Sequence, residues 1–441
     1  MKKINGTPQA THIEEGALKN YIGQQVCIHG SVYKIREMSG FAFVLLRTKR
    51  KLLQCVYLLE FANFDLTSLQ ENMEVVITGR VVSDERSRTG FDVQIIAFEC
   101  LSAPAAEAPV VINNKEMFAS LDTLLDYRPF TLRNVKERAI FQIQVGLCRG
   151  FRQFLDQNQF TEIHSPKIVF SGAEGGANIF KLDYFGKEAY LTQSPQFYKQ
   201  MMVGVFERVY EIAPVFRAEK HDTSRHVNEY TSVDVEMGFI DSFYDIMKLE
   251  AQMLAHAFDF LRGHYAEELA LLKAEVPTVA DIPAVTFAEA KDMIAKAYQR
   301  TITDFDDFEP EEEKLLSDLI KRETGSDFVF VTHYKSSKRP FYAMDTPGSP
   351  EVTESFDLIF RGVEVTTGGQ RIHDYNAQIA KMQARNMDVD AFESYLMAHK
   401  YGLPPHGGFG LGLERLTAKL LGFNNVRHAT LFPRDTVRLT P

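Results

Sequence analysis

Residues 402–416 read Gly-Leu-Pro-Pro-His-Gly-Gly-Phe-Gly-Leu-Gly-Leu-Glu-Arg-Leu, and this stretch decides what kind of fold to expect. Glycines at positions 408, 410 and 412 alternate with apolar residues at positions 409, 411 and 413. A period of two predicts a strand, here with one side-chain face and one bare face. Because glycine weakens a strand, its repetition on one face indicates that something flat lies against the backbone.

A helix should begin directly after this strand. Residues 414–421 have helical spacing, and Gly422 supplies a common stop signal. Arg415 is therefore predicted where a bare strand meets the N-terminus of a helix, a place suited to holding an anion. The alternative is a glycine-rich strand packed against a neighbouring helix, with Arg415 as an ordinary surface charge.

The composition is that of an ordinary globular protein. The 441 residues allow two or three domains, and 45% are hydrophobic and 24% charged. The net charge of −10 argues against a general nucleic-acid binder but allows a local basic face. No apolar run approaches a membrane span, and the N-terminus lacks the apolar core of a signal peptide. We therefore expect a cytoplasmic protein with four reduced, buried and inert cysteines: Cys27, Cys55, Cys100 and Cys148.

After a loose tail at residues 1–15, residues 16–103 are rich in short strands. The β-rich runs, separated by turn residues, cover 26–33, 41–47, 52–57, 73–79 and 91–96. Five such runs predict a small closed barrel of the oligonucleotide-binding kind. Basic residues cluster at positions 34, 36, 47 and 49–51, with Phe41 and Phe43 interleaved. That mixture suits single-stranded nucleic acid. The alternative is a solvated basic turn beside core phenylalanines.

An Ala- and Pro-rich segment at 101–109 marks a domain boundary. We predict a linker or hinge at 104–125 and a second domain at 126–441. This domain should begin with an amphipathic helix at 135–158 and a strand at 160–170. Pro166 predicts an edge or interface for that strand, because proline cannot donate to a sheet ladder. Residues 266–350 are more acidic and less patterned, with the acidic start of a helix within 304–313.

Two strand pairs in the second domain carry polar residues. The first pairs 208–219 with 230–239, and the second lies at 355–373. The second pair contains Asp357 and Glu364, seven positions apart. If they are adjacent on a hairpin, they are a candidate magnesium pair, because hard cations prefer oxygen ligands. The alternative is two surface acids.

Three of these stretches resemble the signature motifs of class II aminoacyl-tRNA synthetases. They are the helix and strand carrying Pro166, the Phe-Arg-Ala-Glu hairpin at 216–219, and the glycine-rich strand ending in Glu414 and Arg415. The resemblance covers nearly all of residues 15–441, including the N-terminal barrel. Segments 193–200, 216–221 and 431–441 are similar to the aspartyl branch, in its compact archaeal and eukaryotic form. It implies an α+β fold: an N-terminal five-stranded OB-fold β-barrel that binds the anticodon, and a catalytic domain with an antiparallel sheet flanked by helices.

The resemblance implies that ATP activates L-aspartate before its transfer to tRNA. Arg217 and Arg415 would be the catalytic residues and would grip the α- and γ-phosphates. Adenine would lie between the bare glycine face and Tyr230, where relatives usually carry phenylalanine, and Glu219 would accept from its amine. Magnesium would be held by Asp357, Glu364 and Thr367. The full set implied for ATP is Arg217, Glu219, Arg225, His226, Tyr230, Glu364, Gly412 and Arg415.

The resemblance also assigns an amino-acid site. Lys199 and Arg371 would face the substrate side chain, where two cations favour a carboxylate over a neutral amide. Residues 171–176 would form a mobile loop that closes over the substrate. The full set implied for aspartate is Glu174, Gln196, Lys199, Asp234, Thr367, Gly368 and Arg371.

In the barrel, the resemblance implies that Phe43 stacks on an anticodon base, Gln54 reads the middle uracil and Arg47 supports the backbone. Tyr33 replaces a tryptophan of relatives restricted to tRNA(Asp), whereas Arg88 is the nearest equivalent of a lysine that those relatives carry. These two signals oppose each other. Together with a remodelled first loop they slightly favour charging of tRNA(Asn) beside tRNA(Asp). The family is dimeric, which implies a homodimer.

Three alternatives remain. Lys199 argues against an asparaginyl enzyme, because a lysine there is not typical of that branch. The barrel argues against a truncated relative that makes a free amino acid. The joint presence of Arg217, Arg415, Asp357 and Glu364 argues against a catalytically silent paralogue that only binds RNA.

Overall fold

The computed structural model describes residues 15–49, 51–87, 89–114, 116–170, 178–220 and 223–440. The chain divides into two compact units, Met1–Val135 and Lys136–Pro441. Several predictions fall outside the described residues: the tail up to residue 14, the basic residue Arg50, the anticodon role of Arg88, the substrate role of Glu174, and closure of the 171–176 segment.

The first unit contains a closed barrel with strand order β1-β2-β3-β5-β4. Its strands are β1 (Gln25–Met38), β2 (Phe41–Arg47), β3 (Leu52–Leu58), β4 (Glu74–Ser83) and β5 (Phe91–Ser102). Every second residue of β2 and β3 is buried, so one face of each strand lines the barrel core. The predicted five-stranded barrel is confirmed. Two short helices follow in the same unit, α1 (Leu121–Asp126) and α2 (Arg128–Thr131).

The remaining described α-helices and strands belong to the second unit, whose first helix begins at the unit boundary. The helices are α3 (Val135–Gln157), α4 (Gln196–Phe206), α5 (Phe243–His264), α6 (Ala266–Leu272), α7 (Phe287–Tyr298), α8 (Pro310–Thr324), α9 (Tyr375–Ala384), α10 (Glu393–Lys400) and α11 (Leu413–Leu420). The strands are β6 (Thr161–Glu162), β7 (Ile168–Val169), β8 (Lys181–Tyr184), β9 (Lys187–Leu191), β10 (Arg208–Phe216), β11 (Glu229–Gly238), β12 (Ala284–Thr286), β13 (Phe328–Thr332), β14 (Asp345–Thr346), β15 (Ser349–Thr353), β16 (Ser355–Phe360), β17 (Val363–Arg371) and β18 (His406–Gly412).

A sheet with strand order β12-β13-β16-β17-β18-β11-β10-β6 organises the second unit. The central strands from β13 to β10 pair antiparallel, and the outer pairs β12–β13 and β10–β6 are parallel. Phe409 and Leu411 of β18 share a core with residues of α3 and α5. Because side chains alternate along a strand, the glycines at 408, 410 and 412 lie on the face away from that core. The predicted strand with one bare face is confirmed.

The predicted strand at 160–170 is wrong as a single element. β6 pairs with β10 at the edge of the large sheet, whereas β7 pairs with β9 in a separate sheet of order β7-β9-β8. Pro166 lies between them. It interrupts the strand, because proline has no N–H to donate to a sheet ladder and restricts the backbone of the residue before it. The predicted edge position is right for β6.

Three smaller expectations have different outcomes. The acidic segment does begin a helix, since Glu309 caps α8 and Glu311, Glu312 and Glu313 lie in its first turn. The cysteines are free, but only Cys55 is fully buried and Cys100 is exposed, so the expected burial was wrong. Within the described residues, no helix is long and apolar enough to cross a membrane.

Candidate active site

A cavity of about 1020 Å³ in the second unit is lined by residues of β11, β17 and β18 and by the first turns of α4 and α11. Its described cations are Lys181, Lys199, Arg217, Arg225, Lys338, Arg339, Arg371, Arg385 and Arg415. Its described acids are Glu219, Asp234, Glu364 and Glu414. The excess of positive side chains suits a ligand with several negative charges.

This one cavity brings together the residues implied for ATP and for aspartate, Glu174 excepted because it is not among the described residues. They are Gln196, Lys199, Arg217, Glu219, Arg225, His226, Tyr230, Asp234, Glu364, Thr367, Gly368, Arg371, Gly412 and Arg415. They come from segments spread along the chain from Gln196 to Arg415, so the fold, and not the local sequence, assembles the site.

The bare face of β18 has two different surroundings along its length. A Cβ on Gly408 would lie 2.1 Å from the carbonyl oxygen of Val235 and 2.2 Å from a carboxylate oxygen of Glu236. This glycine therefore makes room for the neighbouring strand. A Cβ on Gly412 would meet nothing closer than 3.8 Å. Gly410 and Gly412 both line the cavity, so the surface open to a flat ligand is this end of β18.

Four charged side chains meet at the buried side of the cavity. Lys199 Nζ donates to Asp234 Oδ1 at 2.9 Å and lies 3.3 Å from Glu236 Oε2. Arg371 Nε donates to Glu236 Oε1 at 3.0 Å. Burial alone would raise the pKa of Glu236, but Arg371 and Lys199 hold that pKa below its ordinary value. Both cations predicted to face a substrate are thus already paired with carboxylates. Sequence reasoning gave Glu236 no role, because its position on β11 does not reveal its partners.

Two polar atoms make no hydrogen bond within the described residues: Asp234 Oδ2, in this cluster, and Gln196 Nε2. Both residues are buried, and both line the cavity. Since buried polar groups are nearly always satisfied, these atoms indicate a ligand with a donor for the carboxylate and an acceptor for the amide. The ammonium and carboxylate groups of an amino acid meet both requirements.

A buried histidine that sequence reasoning missed lies next to this cluster. His406 is paired with Arg371 across the β17–β18 ladder. Its Nδ1 lies 2.8 Å from the carbonyl oxygen of Pro404, and because a carbonyl only accepts, Nδ1 carries the proton. Nε2 therefore accepts from Gln200 Nε2 at 3.0 Å. Burial lowers the pKa of His406 to about 4, so the imidazole is neutral at neutral pH. It adds no charge to the cluster.

Two arginines are fixed on another wall of the cavity. Arg415, at the start of α11 as predicted, donates from Nη1 to the carbonyl oxygen of Glu364 at 3.1 Å and from Nε to that of Arg225 at 3.3 Å. Arg225 pairs with Glu313 of α8. Burial raises the pKa of Glu313 to about 7. These contacts orient both guanidinium groups before any ligand arrives, which lowers the entropy lost on binding.

The β10–β11 hairpin positions a third arginine. β10 ends at Phe216, three residues before the predicted end of the strand. The side-chain amide of Asn228 donates to the carbonyl oxygens of Arg217 at 2.7 Å and Glu219 at 2.9 Å, which fixes the turn. The guanidinium of Arg217 lies 5.8 Å from the ring centroid of Tyr230. The aromatic surface and the cation are therefore held together at the cavity.

Asp357 and Glu364 lie on the paired strands β16 and β17. Asp357 is opposite Thr367, and the Thr367 hydroxyl donates to Glu364 Oε1 at 3.1 Å. Asp357 is buried, so the alternative of two surface acids is wrong for this residue. Burial raises the pKa of Asp357, and the nearby Arg339 acts in the opposite direction. Asp357 Oδ1 has no hydrogen-bond partner among the described residues.

In the described part of the chain, no group of three or more His, Cys, Asp or Glu side chains could hold a metal. Asp357 and Glu364 therefore offer two carboxylates, and a bound ligand and water would have to supply the other oxygen atoms. Magnesium is commonly bound in this way, by one or two carboxylates and the phosphates of a substrate.

On the barrel, Phe43 and Gln54 share one face. Phe43 is opposite Val56 and Leu45 is opposite Gln54, which puts the two side chains diagonally across β2 and β3. The Phe43 ring packs edge-on against Phe41, with centroids 5.2 Å apart, and remains partly exposed. Gln54 Nε2 donates to Asp92 Oδ1 at 3.2 Å.

The other two described anticodon candidates make contacts inside the first unit. Arg47 Nη2 donates to Ser31 Oγ at 2.6 Å and lies 3.7 Å from Glu74. Tyr33 is 5% exposed, and its hydroxyl donates to the carbonyl oxygen of Ile112 at 2.7 Å. A direct contact between Tyr33 and an anticodon base does not fit this burial.

Comparisons with known proteins agree with both units. Residues 120–436 match a family of class II tRNA synthetases (D, K and N), and residues 26–102 match an OB-fold nucleic acid binding domain. An aspartate–tRNA(Asp/Asn) ligase from Deinococcus radiodurans is 47% identical, over 96% of this chain and 97% of its own. An aspartate–tRNA(Asp) ligase from Pyrococcus horikoshii is 36% identical, over 98% and 99%. The solved asparaginyl-tRNA synthetase from Pyrococcus horikoshii, complexed with asparaginyl-adenylate, is 30% identical with a TM-score of 0.88, over 96% and 97%.

Proposed function

The chain belongs to the family of class II tRNA synthetases of the D, K and N type, and on that basis we propose that it joins L-aspartate to tRNA(Asp) in an ATP-dependent reaction. The observation that carries this proposal is the buried cluster of Lys199, Arg371, Asp234 and Glu236, which lies against a cavity rich in cations. The cluster suits an amino acid with an acidic side chain, and the cations suit a nucleoside triphosphate.

The first step needs no nucleophile from the protein. An oxygen of the α-carboxylate of aspartate attacks the α-phosphorus of ATP, the bond from that phosphorus to the oxygen bridging to the β-phosphate breaks, and pyrophosphate leaves with the bonding electrons. Arg217 would stabilise charge on the α-phosphate and Arg415 on the γ-phosphate. The ribose hydroxyl at the 3′ end of tRNA then attacks the aspartyl-adenylate and releases AMP. The protein contributes positioning and charge neutralisation.

Magnesium fits the donor set of this site. Asp357 Oδ1 is a buried oxygen without a partner among the described residues, and Glu364 lines the cavity next to the Thr367 hydroxyl. These residues would hold the ion through oxygen atoms. When bound, magnesium offsets the negative charge of the phosphate chain and helps to orient it.

Selection of aspartate over asparagine follows from the charges of the cluster. The substrate ammonium would take Asp234 as its partner, which frees Lys199 for the side-chain carboxylate. With a neutral amide in that place, Lys199 would lose a charged partner and gain none, which is costly in a buried site. The asparaginyl alternative is favoured by fold similarity alone, because the solved asparaginyl structure has a TM-score of 0.88. The cluster and the relatives at 47% and 36% identity favour aspartate.

We further propose that the chain charges tRNA(Asn) as well as tRNA(Asp). The Deinococcus relative is an aspartate–tRNA(Asp/Asn) ligase, whereas the Pyrococcus relative is an aspartate–tRNA(Asp) ligase at lower identity. Aminoacylation of both purified transcripts with aspartate tests the two parts of the proposal together. We expect both to be charged. Failure with tRNA(Asp) would overturn the proposed function, and charging of tRNA(Asn) about a thousandfold less efficiently would overturn only the relaxed specificity.

We further propose that the protein is a cytoplasmic homodimer. A homodimer is supported by the position of β6 at the sheet edge, after the long amphipathic helix α3 and before Pro166. Sedimentation as a stable monomer at micromolar concentration would contradict it. We place the protein in the cytoplasm, which its free cysteines and its part in translation support.

A further inference from the structure

Arg339 is a cavity-lining cation to which the proposed roles assign nothing. Its Nη2 lies 2.8 Å from Asp357 Oδ2, and its guanidinium carbon lies 3.9 Å from the ring centroid of Tyr334. The Arg339 side chain is 11% exposed. Its Nε makes no hydrogen bond within the described residues. The guanidinium is therefore held by one ion pair and one aromatic face, and it still has unused donors.

Each carboxylate proposed for magnesium is already matched by an arginine. Asp357 pairs with Arg339 at 2.8 Å, and Glu364 lies 3.7 Å from Arg415. Asp357 is the more deeply buried of the two, with a side chain 8% exposed against 38% for Glu364. A buried carboxylate without a cation is unstable, so Arg339 supplies the charge that Asp357 needs when no metal is bound.

We propose that Arg339 is a positioning residue that occupies Asp357 in the nucleotide-free protein, gives way to the divalent cation that arrives with ATP, and then donates to the phosphate chain. This inference rests on the proposed function. Two cations on one carboxylate repel each other, so the ion and the guanidinium compete for Asp357. The planar guanidinium fork matches phosphate oxygens, which gives the displaced side chain a new partner in the same cavity.

Competition between Arg339 and a divalent cation has an effect that a purely structural ion pair would not have. Without nucleotide, Arg339 should weaken the binding of a divalent cation. Its removal should therefore strengthen metal binding. If Arg339 only supported the fold, its removal would weaken metal binding instead. A lysine at the same position retains the positive charge and should keep the competition.

The test is Mn²⁺ binding, measured by electron paramagnetic resonance on the nucleotide-free full-length protein. We expect Arg339→Gln to bind Mn²⁺ roughly tenfold more tightly than the wild type, because one competing charge is gone. Arg339→Lys should stay within about twofold of the wild type. Equal or weaker binding by Arg339→Gln would overturn the proposal. Thermal unfolding of each variant checks that it is folded, and Arg339→Met replaces Arg339→Gln if the latter is not.

A second substitution separates this proposal from the proposed metal site. In the Arg339→Gln protein, Asp357→Asn should abolish the gain in Mn²⁺ affinity, since Asp357 is the group for which the cations compete. A gain that persists would overturn the role of Arg339. In the otherwise wild-type protein with a non-hydrolysable ATP analogue, Asp357→Asn should weaken Mn²⁺ binding. If it does not, Asp357 is not a metal ligand, and the failure belongs to the proposed function.

Discussion

The proposed role of Lys199 is to select the substrate by exchanging one charged partner for another. In the free protein its ammonium is held by Asp234 and Glu236, and no part of it is substantially exposed. An isolated buried cation would be unstable, so the pocket must be neutral before the amino acid enters. The substrate then replaces an internal ion pair with two new ones. We infer that the pocket selects its substrate by the charge of the side chain. Charge separates aspartate from asparagine better than shape alone could.

The arginines on the cavity walls give the first prediction. Arg217→Ala and Arg415→Ala should each reduce pyrophosphate exchange roughly a hundredfold or more, because each would remove a cation that we propose stabilises charge developing on the phosphates. Arg322→Ala is a matched control, since that side chain is 61% exposed on α8 and is not among the residues that line the cavity. Near-normal exchange in both cavity variants would contradict these roles.

Glu250 gives a prediction about pH. It is fully buried on α5, and neither carboxylate oxygen has a hydrogen-bond partner among the described residues. Burial raises its pKa from 4.5 to about 8. The folded protein therefore holds this proton more tightly than the unfolded chain does. The resulting stabilisation is present below the ordinary pKa and is lost as the pH rises toward 8.

Glu250→Gln removes this dependence. The free energy of unfolding of the variant should exceed that of the wild type by an amount that grows from pH 5 to pH 8 and reaches a few kcal/mol at most. Urea denaturation of both proteins at several pH values measures it. A constant difference across this range would show that Glu250 keeps an ordinary pKa.

At the scale of elements, β18 contacts the hydrophobic core with one face and the candidate active site with the other. Phe409 and Leu411 anchor one face in the core, while Gly410 and Gly412 leave the other face open to the cavity. α11 begins immediately after the strand and carries Arg415 to the same cavity. One strand thus supplies a flat surface, and the helix that follows it supplies a cation.

The two ends of β18 should respond differently to a methyl group. Gly408→Ala should destabilise the protein strongly, because its Cβ would lie 2.1 Å from the backbone of β11. Gly412→Ala should unfold at nearly the wild-type temperature, because φ is −78° and its Cβ meets nothing within 3.8 Å. It should instead weaken ATP binding. Thermal unfolding and ATP titration check both outcomes, and the prediction is wrong if Gly408→Ala is as stable as Gly412→Ala.

Local sequence patterns predicted the helices and strands better than they predicted the contacts between side chains. The alternation in β18, the barrel strands and the helix beginning near Glu309 depend on neighbours in the sequence, so their periods and end signals were sufficient. The pairing of Arg339 with Asp357 and the role of Glu236 depend on residues far apart in the chain. The interruption at Pro166 was also missed, because the residues on either side of it pair with different sheets.

At the scale of the whole molecule, the two units should have separable functions. The first unit carries the barrel face with Phe43 and Gln54, and the second unit contains every described residue that lines the cavity. Recognition of the anticodon and activation of the amino acid are therefore assigned to different parts of the chain. A change on the barrel face should alter binding of tRNA without altering chemistry at the cavity.

Phe43→Ala tests this separation. Loss of a stacking surface should cost roughly 1–3 kcal/mol of tRNA binding, while pyrophosphate exchange with aspartate stays at the wild-type rate. Phe118→Ala is a control of the same kind in the same unit, at a side chain that is 92% exposed and outside the barrel. Filter binding of labelled tRNA(Asp) measures the affinity. Equal losses in both variants would remove Phe43 from the proposed interface.

The central claim is that this site activates aspartate, and pyrophosphate exchange into ATP tests it most directly. The wild-type protein and Lys199→Leu are each assayed with aspartate or asparagine as the sole amino acid. We predict magnesium-dependent exchange by the wild type with aspartate and none above background with asparagine. In Lys199→Leu, confirmed as folded, aspartate affinity should fall far more than ATP affinity, because a charge-assisted hydrogen bond in a buried pocket is lost. Exchange driven by asparagine and not by aspartate would contradict the account.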